Sequence, residues 1–147
     1  MPKKILGSDY GVWVESAVAG TYNYVLGQGD CTINRGSSSI DTTSKDDGDY
    51  GTSAPGPRSL SVDLNIIPFL PDANGYTRLE SLSNASPRVP FNIQIRKGGK
   101  TGTGTDVVFQ CSMYGNLDST TLGQAAAGTV KASLMAAAAP TVDALAA

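Results

Sequence analysis

No histidine occurs anywhere in the chain. That absence removes the commonest general base, the Ser-His-Asp and Cys-His arrangements and nearly every zinc site, so an ordinary hydrolytic enzyme is not expected. Charge is scarce as well: 16% of residues are charged, 11 basic against 13 acidic for a net −2, which leaves no broad basic field to hold nucleic acid by its phosphates. A weakly negative surface suits letting DNA pass without gripping it. Long apolar runs are also missing, none nearing the roughly 20 residues that span a bilayer. MPKKILGSDYG has only Ile5 and Leu6 before polar residues return, too little for a secretory core. The expectation is a protein made and used without export in a reducing compartment, with no membrane partner.

Cysteine is limited to Cys31 and Cys111, both on inward positions of predicted strands. Small buried thiols are the simple reading and a Cys31–Cys111 disulfide the alternative.

What the chain does have is strand periodicity, 17 glycines and 40% hydrophobic residues in 147, enough for one core and one domain, 1–147. Leu60, Val62, Leu64 and Ile66 alternate with Ser59, Ser61, Asp63 and Asn65, the pattern of a strand with one buried and one wet face. Phe91, Ile93 and Ile95 alternate likewise, KGGKTGTGTD turns the chain, and Val107, Phe109, Cys111 and Met113 follow, which predicts an antiparallel hairpin. Further strands are expected around Val12 to Val14, at Tyr22 to Leu26 with Gly20 near the turn, at Cys31 to Ile33, and from Thr129 to Met135. One short helix is expected where Thr77 and Glu80 fit a capping box, with Leu79 and Leu82 at helical spacing. The alanine-rich residues 136–147 form a loosely held tail. The fold class is mainly β: an antiparallel sandwich or partly open barrel with one short helix.

Residues 36–58, GSSSIDTTSKDDGDYGTSAPGPR, stand apart because only Ile40, Tyr50 and Ala54 are apolar. Loops inside domains are mostly about 4 to 6 residues, so one this long is expected to carry a contact that the domain itself does not need. The strands on either side are expected to pair, with this polar arm as the tip of their hairpin.

Other motifs have plainer readings. Asp46, Asp47 and Asp49 lie in the polar arm with no apolar pocket to raise a pKa, and lack the spacing and distal glutamate of a calcium loop. Gly99-Lys100-Thr101 ends like a phosphate loop but sits between strands, and Asn84-Ala85-Ser86 matches a glycosylation triplet of a kind common by chance. Arg88, Arg96, Lys97 and Lys100 gather near one hairpin and are read as a solvated face that an acidic neighbour would suit. Neither a catalytic set, a metal site nor a cofactor is expected.

The order of CTINR, SSIDTTSKDDGDYGTSAPGPRSLSVDLNI, the TRLESL helix, the NIQIRKGG hairpin and a closing strand resembles the major tail tube proteins of long-tailed, non-contractile bacteriophages. The resemblance implies a structural virion protein forming stacked rings, most often hexameric, around a channel for DNA. It assigns ring stacking to the long loop, with Asp41, Thr42, Thr43, Lys45, Asp46, Asp47, Asp49, Tyr50, Pro55, Pro57 and Arg58 as contact residues. Ser59, Ser61, Asp63 and Asn65 become a candidate lumen face. Implied partners are further copies, other tail proteins, and the tape-measure protein and DNA transiently in the lumen. The implied location is the virion tail, after synthesis in the host cytoplasm. The rival reading is a small secreted adhesive or carbohydrate-binding sandwich with Cys31 and Cys111 bridged and Tyr10, Trp13, Tyr22 and Tyr24 as a sugar-stacking face.

Overall fold

A computed structural model describes residues 3–145, apart from the side chain of Asp47. The alternating segments become strands β1 (Tyr10–Glu15), β2 (Tyr22–Tyr24), β3 (Gln28–Asp41), β4 (Ser53–Ile66), β5 (Phe91–Lys97), β6 (Val107–Thr121), β7 (Thr129–Ala136) and β8 (Val142–Asp143), with helix α1 (Tyr76–Asn84) between β4 and β5. They pair antiparallel in the order β2-β1-β5-β6-β7-β4-β3, and β8 adds to β6.

The long strand β6 serves both halves. Its first half pairs with β5, from Arg96↔Val107 to Phe91↔Met113, and its second half pairs with β7, from Met113↔Ala136 to Thr121↔Thr129. The two ends of the strand order then meet. The Gln28 side chain, on β3, accepts from the Val12 N–H at 2.8 Å and donates to the Val12 carbonyl at 2.8 Å, on β1 beyond the last residue that pairs with β2. A side-chain amide thus stands in for a strand neighbour: it gives the Val12 N–H its acceptor and the Val12 carbonyl a second donor beside the Val25 N–H at 3.4 Å. The sheet therefore curls over itself, and Val12, Val14, Ile93 and Phe109 from one half pack in one core with Val62, Leu64, Ile66 and Leu134 from the other. This is the expected partly open antiparallel architecture.

Two expectations need correction. The helix is present, but Thr77 lies inside it, and its N-terminal N–H groups are met from outside the predicted capping box. Asp72 does that work: its Oδ2 accepts from the N–H of Tyr76 and of Leu26, both at 3.0 Å, tying the helix start to the end of β2. α1 lies against β6 where Gly115 faces Ser83; a Cβ there would stand 2.4 Å from the Ser83 Oγ, so glycine sets the approach of helix to sheet.

The arm is the second correction. Most of residues 36–58 is strand: β3 and β4 stay paired out to Ile40↔Ala54 and Asp41↔Ser53, leaving only residues 42–52 as the connection. Ser37 to Asp41 lack alternation because both faces of this two-stranded projection are wet, so the backbone ladder alone makes them strand. At the other end Gly27, at φ +79°, extends the ladder through Ile67 N–H to Gly27 O at 2.8 Å; a Cβ would sit 1.9 Å from the Ile67 carbonyl.

Leu64→Ala, at a fully buried position, should therefore cost about 2–5 kcal/mol in urea unfolding, whereas Ile40→Ala on the arm should stay within about 0.5 kcal/mol. Equal losses would mean that the arm is packed in the monomer.

Candidate assembly interface

The arm tip is closed by short polar contacts. Thr42 N–H donates to Thr52 O at 3.0 Å, the two threonine hydroxyls are 2.9 Å apart, and Thr52 N–H donates to Thr43 Oγ1 at 2.9 Å. Asp41 Oδ1 accepts from Thr43 N–H at 2.9 Å, and hydrogen bonds from the Thr43 side chain and backbone hold its carboxyl below the usual aspartate range. Lys45, Asp46, Asp49 and Tyr50 project from this frame into water, Tyr50 at 85% exposure, while Pro55, Pro57 and Arg58 lie on the outer half of β4. The predicted contact residues thus lie along one hairpin rather than around a pocket. The Asp47 side chain lies outside the described residues.

Ser59, Ser61, Asp63 and Asn65 do share one face of β4, opposite Val62, Leu64 and Ile66. A row of side chains missed by the sequence reading crosses that face. Asp63 accepts from Asn34 Nδ2 at 2.8 Å on one side and from Ser133 Oγ at 3.0 Å on the other. Ser133 also meets Asp118, which accepts from Asn116 Nδ2 at 2.7 Å, and Arg88 Nη2 reaches Asn116 Oδ1 at 3.3 Å. Asp118 stands at a bulge in β6, between Leu117↔Ala132 and Ser119↔Lys131, which interrupts the alternation and hid it. The alternation of Lys131 and Ser133 with Val130 and Ala132 was the usable signal.

Beside β3 the curl stays open. A groove of about 820 Å³ runs between β3 and β1, lined by Cys31, Ile33, Tyr10, Phe109 and Leu145 among others. Cys31 points to the core side of β3 as expected, yet it is exposed, because β3 is the edge strand and the opposite half does not cover it; Cys111 is buried. Both thiols are free. Protein crowds Cys31 on its remaining sides, and that desolvation, with the charge of Asp63, pushes its thiol up to about 11, so it stays protonated and unreactive near neutral pH.

The basic cluster is not a uniform solvated face. Arg96 lies over Trp13, 4.2 Å from the ring centroid, and donates to Gln94 Oε1 at 2.9 Å. Trp13 is further fixed by Nε1–H donation to Gly99 O at 3.2 Å and by edge contact with Tyr24. The indole face that the carbohydrate reading needs is therefore occupied by a guanidinium. Among the described residues no three Cys, Asp or Glu side chains gather into a metal site, and no helix is long and apolar enough to cross a membrane.

These features define a class: an open antiparallel sheet with a long projecting hairpin and a free edge strand. No family model and no curated protein matches the sequence, but solved structures match the fold. The tail of an empty gene transfer agent particle, refined with C6 helical symmetry, superposes with a TM-score of 0.76 at 13% identity over 96% of this chain and 100% of that one. The virion of a native gene transfer agent particle gives 0.71 at 14% identity, again over 96% and 100%. The tail tube of SPP1, a hybrid NMR and cryo-EM structure, gives 0.69 at 13% over 96% of this chain and 81% of that one. The chain has the tail-tube fold.

The C-terminal segment is tied to the base of the arm strand. β8 pairs with β6 at Phe109↔Asp143, Ala144 N–H donates to Val108 O at 2.9 Å, and Arg35 forms a bidentate ion pair with Asp143. Hydrogen bonding from Arg35 holds the Asp143 carboxyl below its usual range. A depressed carboxylate contributes stability above its unfolded pKa and loses it as pH falls through the folded one. With Arg35 half exposed, the effect is local. Amide exchange at Ala144, corrected for its intrinsic pH dependence, should accelerate as pH drops below about 4, and Asp143→Asn should abolish that step. A pH step unchanged in the variant would exclude the ion pair as its cause.

Proposed function

We propose that this chain is a structural subunit of a phage-type tail tube, assembling into rings that stack around a channel, with no catalytic role. The observation that carries the reading is the full-length fold match to tail tubes joined to a hairpin that projects from the core with its tip exposed. Six copies per ring follow the symmetry of the gene transfer agent tail. Physical argument supports the same arrangement. β3 has one unpaired edge, and joining copies edge to edge into a closed barrel satisfies its backbone groups.

Residues 1–147 act as one domain in this reading. The arm, with Asp41, Thr42, Thr43, Lys45, Asp46, Asp47, Asp49, Tyr50, Pro55, Pro57 and Arg58, makes the contact between rings. The polar row containing Ser59, Ser61, Asp63 and Asn65 lines the lumen, where Asp63 and Asp118 offset the two cations of the same face, Arg88 and Lys131, and the remaining small neutral groups give DNA phosphate little net charge to hold. DNA and the tape-measure protein occupy that lumen transiently, other tail proteins meet the ends of the tube, and the assembled protein resides in the virion after synthesis in the host cytoplasm. The secreted adhesive module is disfavoured by the two free thiols and by the covered Trp13 face.

Replacing residues 42–52 by Asn-Gly retains the β3–β4 ladder and should give a folded protein that forms no tubes in negative-stain images. Normal tubes from that variant would sink the stacking role. Replacing Asp46, Asp47 and Asp49 by Asn should flatten the salt dependence of polymerisation; an unchanged dependence removes the electrostatic part.

A further inference from the structure

Large apolar side chains are exposed at the two opposite ends of β4. At the tip stand Tyr50 and Ile40, 85% and 53% exposed. At the other end, just past Ile66, stand Ile67, Phe69 and Leu70, at 51%, 70% and 61%. The fourteen residues of β4 separate the two sets by roughly 45 Å at strand rise, so no copy brings its own tip to its own base. Two different patches at opposite ends of one subunit make a heterologous contact, the kind that propagates copy after copy along a line.

Charge distinguishes the two ends in the same sense. The connection 42–52 carries Lys45 against Asp46, Asp47 and Asp49. At the base, two acids are already engaged: Asp72 accepts from Leu26 and Tyr76, and Glu80 bonds the Tyr76 hydroxyl. Arg78, one turn into the helix that this loop feeds, is half-buried and is joined to no acid by an ion pair among the described residues. Ile67 also lines a cleft of about 360 Å³ with Ile66, Val130 and Lys131, where Asp30 is the lone acid.

Resting on the tail-tube reading, we propose that the arm tip of one copy seats on the Ile67, Phe69 and Leu70 face of a copy in the next ring, with Tyr50 on the apolar loop and Asp46 and Asp49 toward Arg78. The occupant is a second copy of this chain, and the contact is directional: each subunit gives a tip at one end and receives one at the other.

The experiment uses the full chain in three forms: unaltered, Phe69→Ser/Leu70→Ser, and Tyr50→Ser/Asp46→Ser/Asp49→Ser. Each altered form should keep the parental circular dichroism and assemble no further than single rings. Mixing the two should give paired rings and no longer stacks, because each supplies the half that the other lacks. A charge exchange guards against a variant that fails to fold: Arg78→Glu should lose tubes, and Arg78→Glu combined with Asp46→Lys/Asp49→Lys should regain them. Tubes from Phe69→Ser/Leu70→Ser, loss of single rings in that variant, which would make the face a lateral contact, or no rescue by charge exchange would overturn the seat. Failure of the unaltered chain to form tubes would instead count against the tail-tube reading itself.

Discussion

The arm depends on how β4 is held at its other end. Val62, Leu64 and Ile66 are buried, and over the same residues β4 is paired on both edges, to β3 and to β7. Slipping that strand by one residue would bring Ser61, Asp63 and Asn65 into the core, so the register is fixed where the strand is buried and is transmitted outward along the ladder. Beyond Ser61 toward the tip β4 has no partner other than β3. The hairpin therefore passes from a clamped root to a free end within one strand, and its opening free energy must fall along its length. A root that rigid gives the tip a defined direction, while a tip with so few buried contacts remains able to reshape against a partner.

How much of this was legible follows the same gradient. Burial writes a period of two into the sequence, so the root of β4 and the β5–β6 hairpin could be read directly from alternating side chains. The outer arm leaves no such trace. Ser37 to Asp41 and Ser53 to Arg58 are held by backbone hydrogen bonds with water on both faces, and backbone pairing is invisible to a hydrophobic pattern. Long-range polar contacts were hidden for a related reason: Asp72 caps α1 and Gln28 closes the curl through partners that sequence spacing does not reveal. Cys31 was placed on the correct side of its strand, but a strand pattern says which face points inward, not whether anything lies opposite. Arg96 shows the converse, a residue read as solvated that packs on Trp13.

The candidate lumen face was half legible. Alternation placed Ser59, Ser61, Asp63 and Asn65 together, but Asn34, Ser133, Asn116 and Asp118 joined them only through the pairing of β3, β4, β7 and β6. The bulge that turns Asp118 toward Ser133 breaks the period at the position where a sequence reading needed it most.

An open curl with a free edge strand is a hazard for any protein that works alone, since unpaired N–H and C=O groups invite indiscriminate pairing. Here β3 carries Asp30, Arg35 and Asp41 at intervals along that edge, and Arg35 is already committed to Asp143. Charges spaced in this way oppose pairing in the wrong register while permitting one complementary alignment. The small charge of the chain belongs to the same logic. In the proposed assembly, a subunit packed against many copies of itself multiplies every uncompensated charge by the number of copies, so a near balance of 11 basic and 13 acidic residues limits the repulsion to be overcome. In the proposed tube, edge pairing would supply cohesion within a layer, and the hairpin, held at its root by three buried side chains, would be left to act between layers.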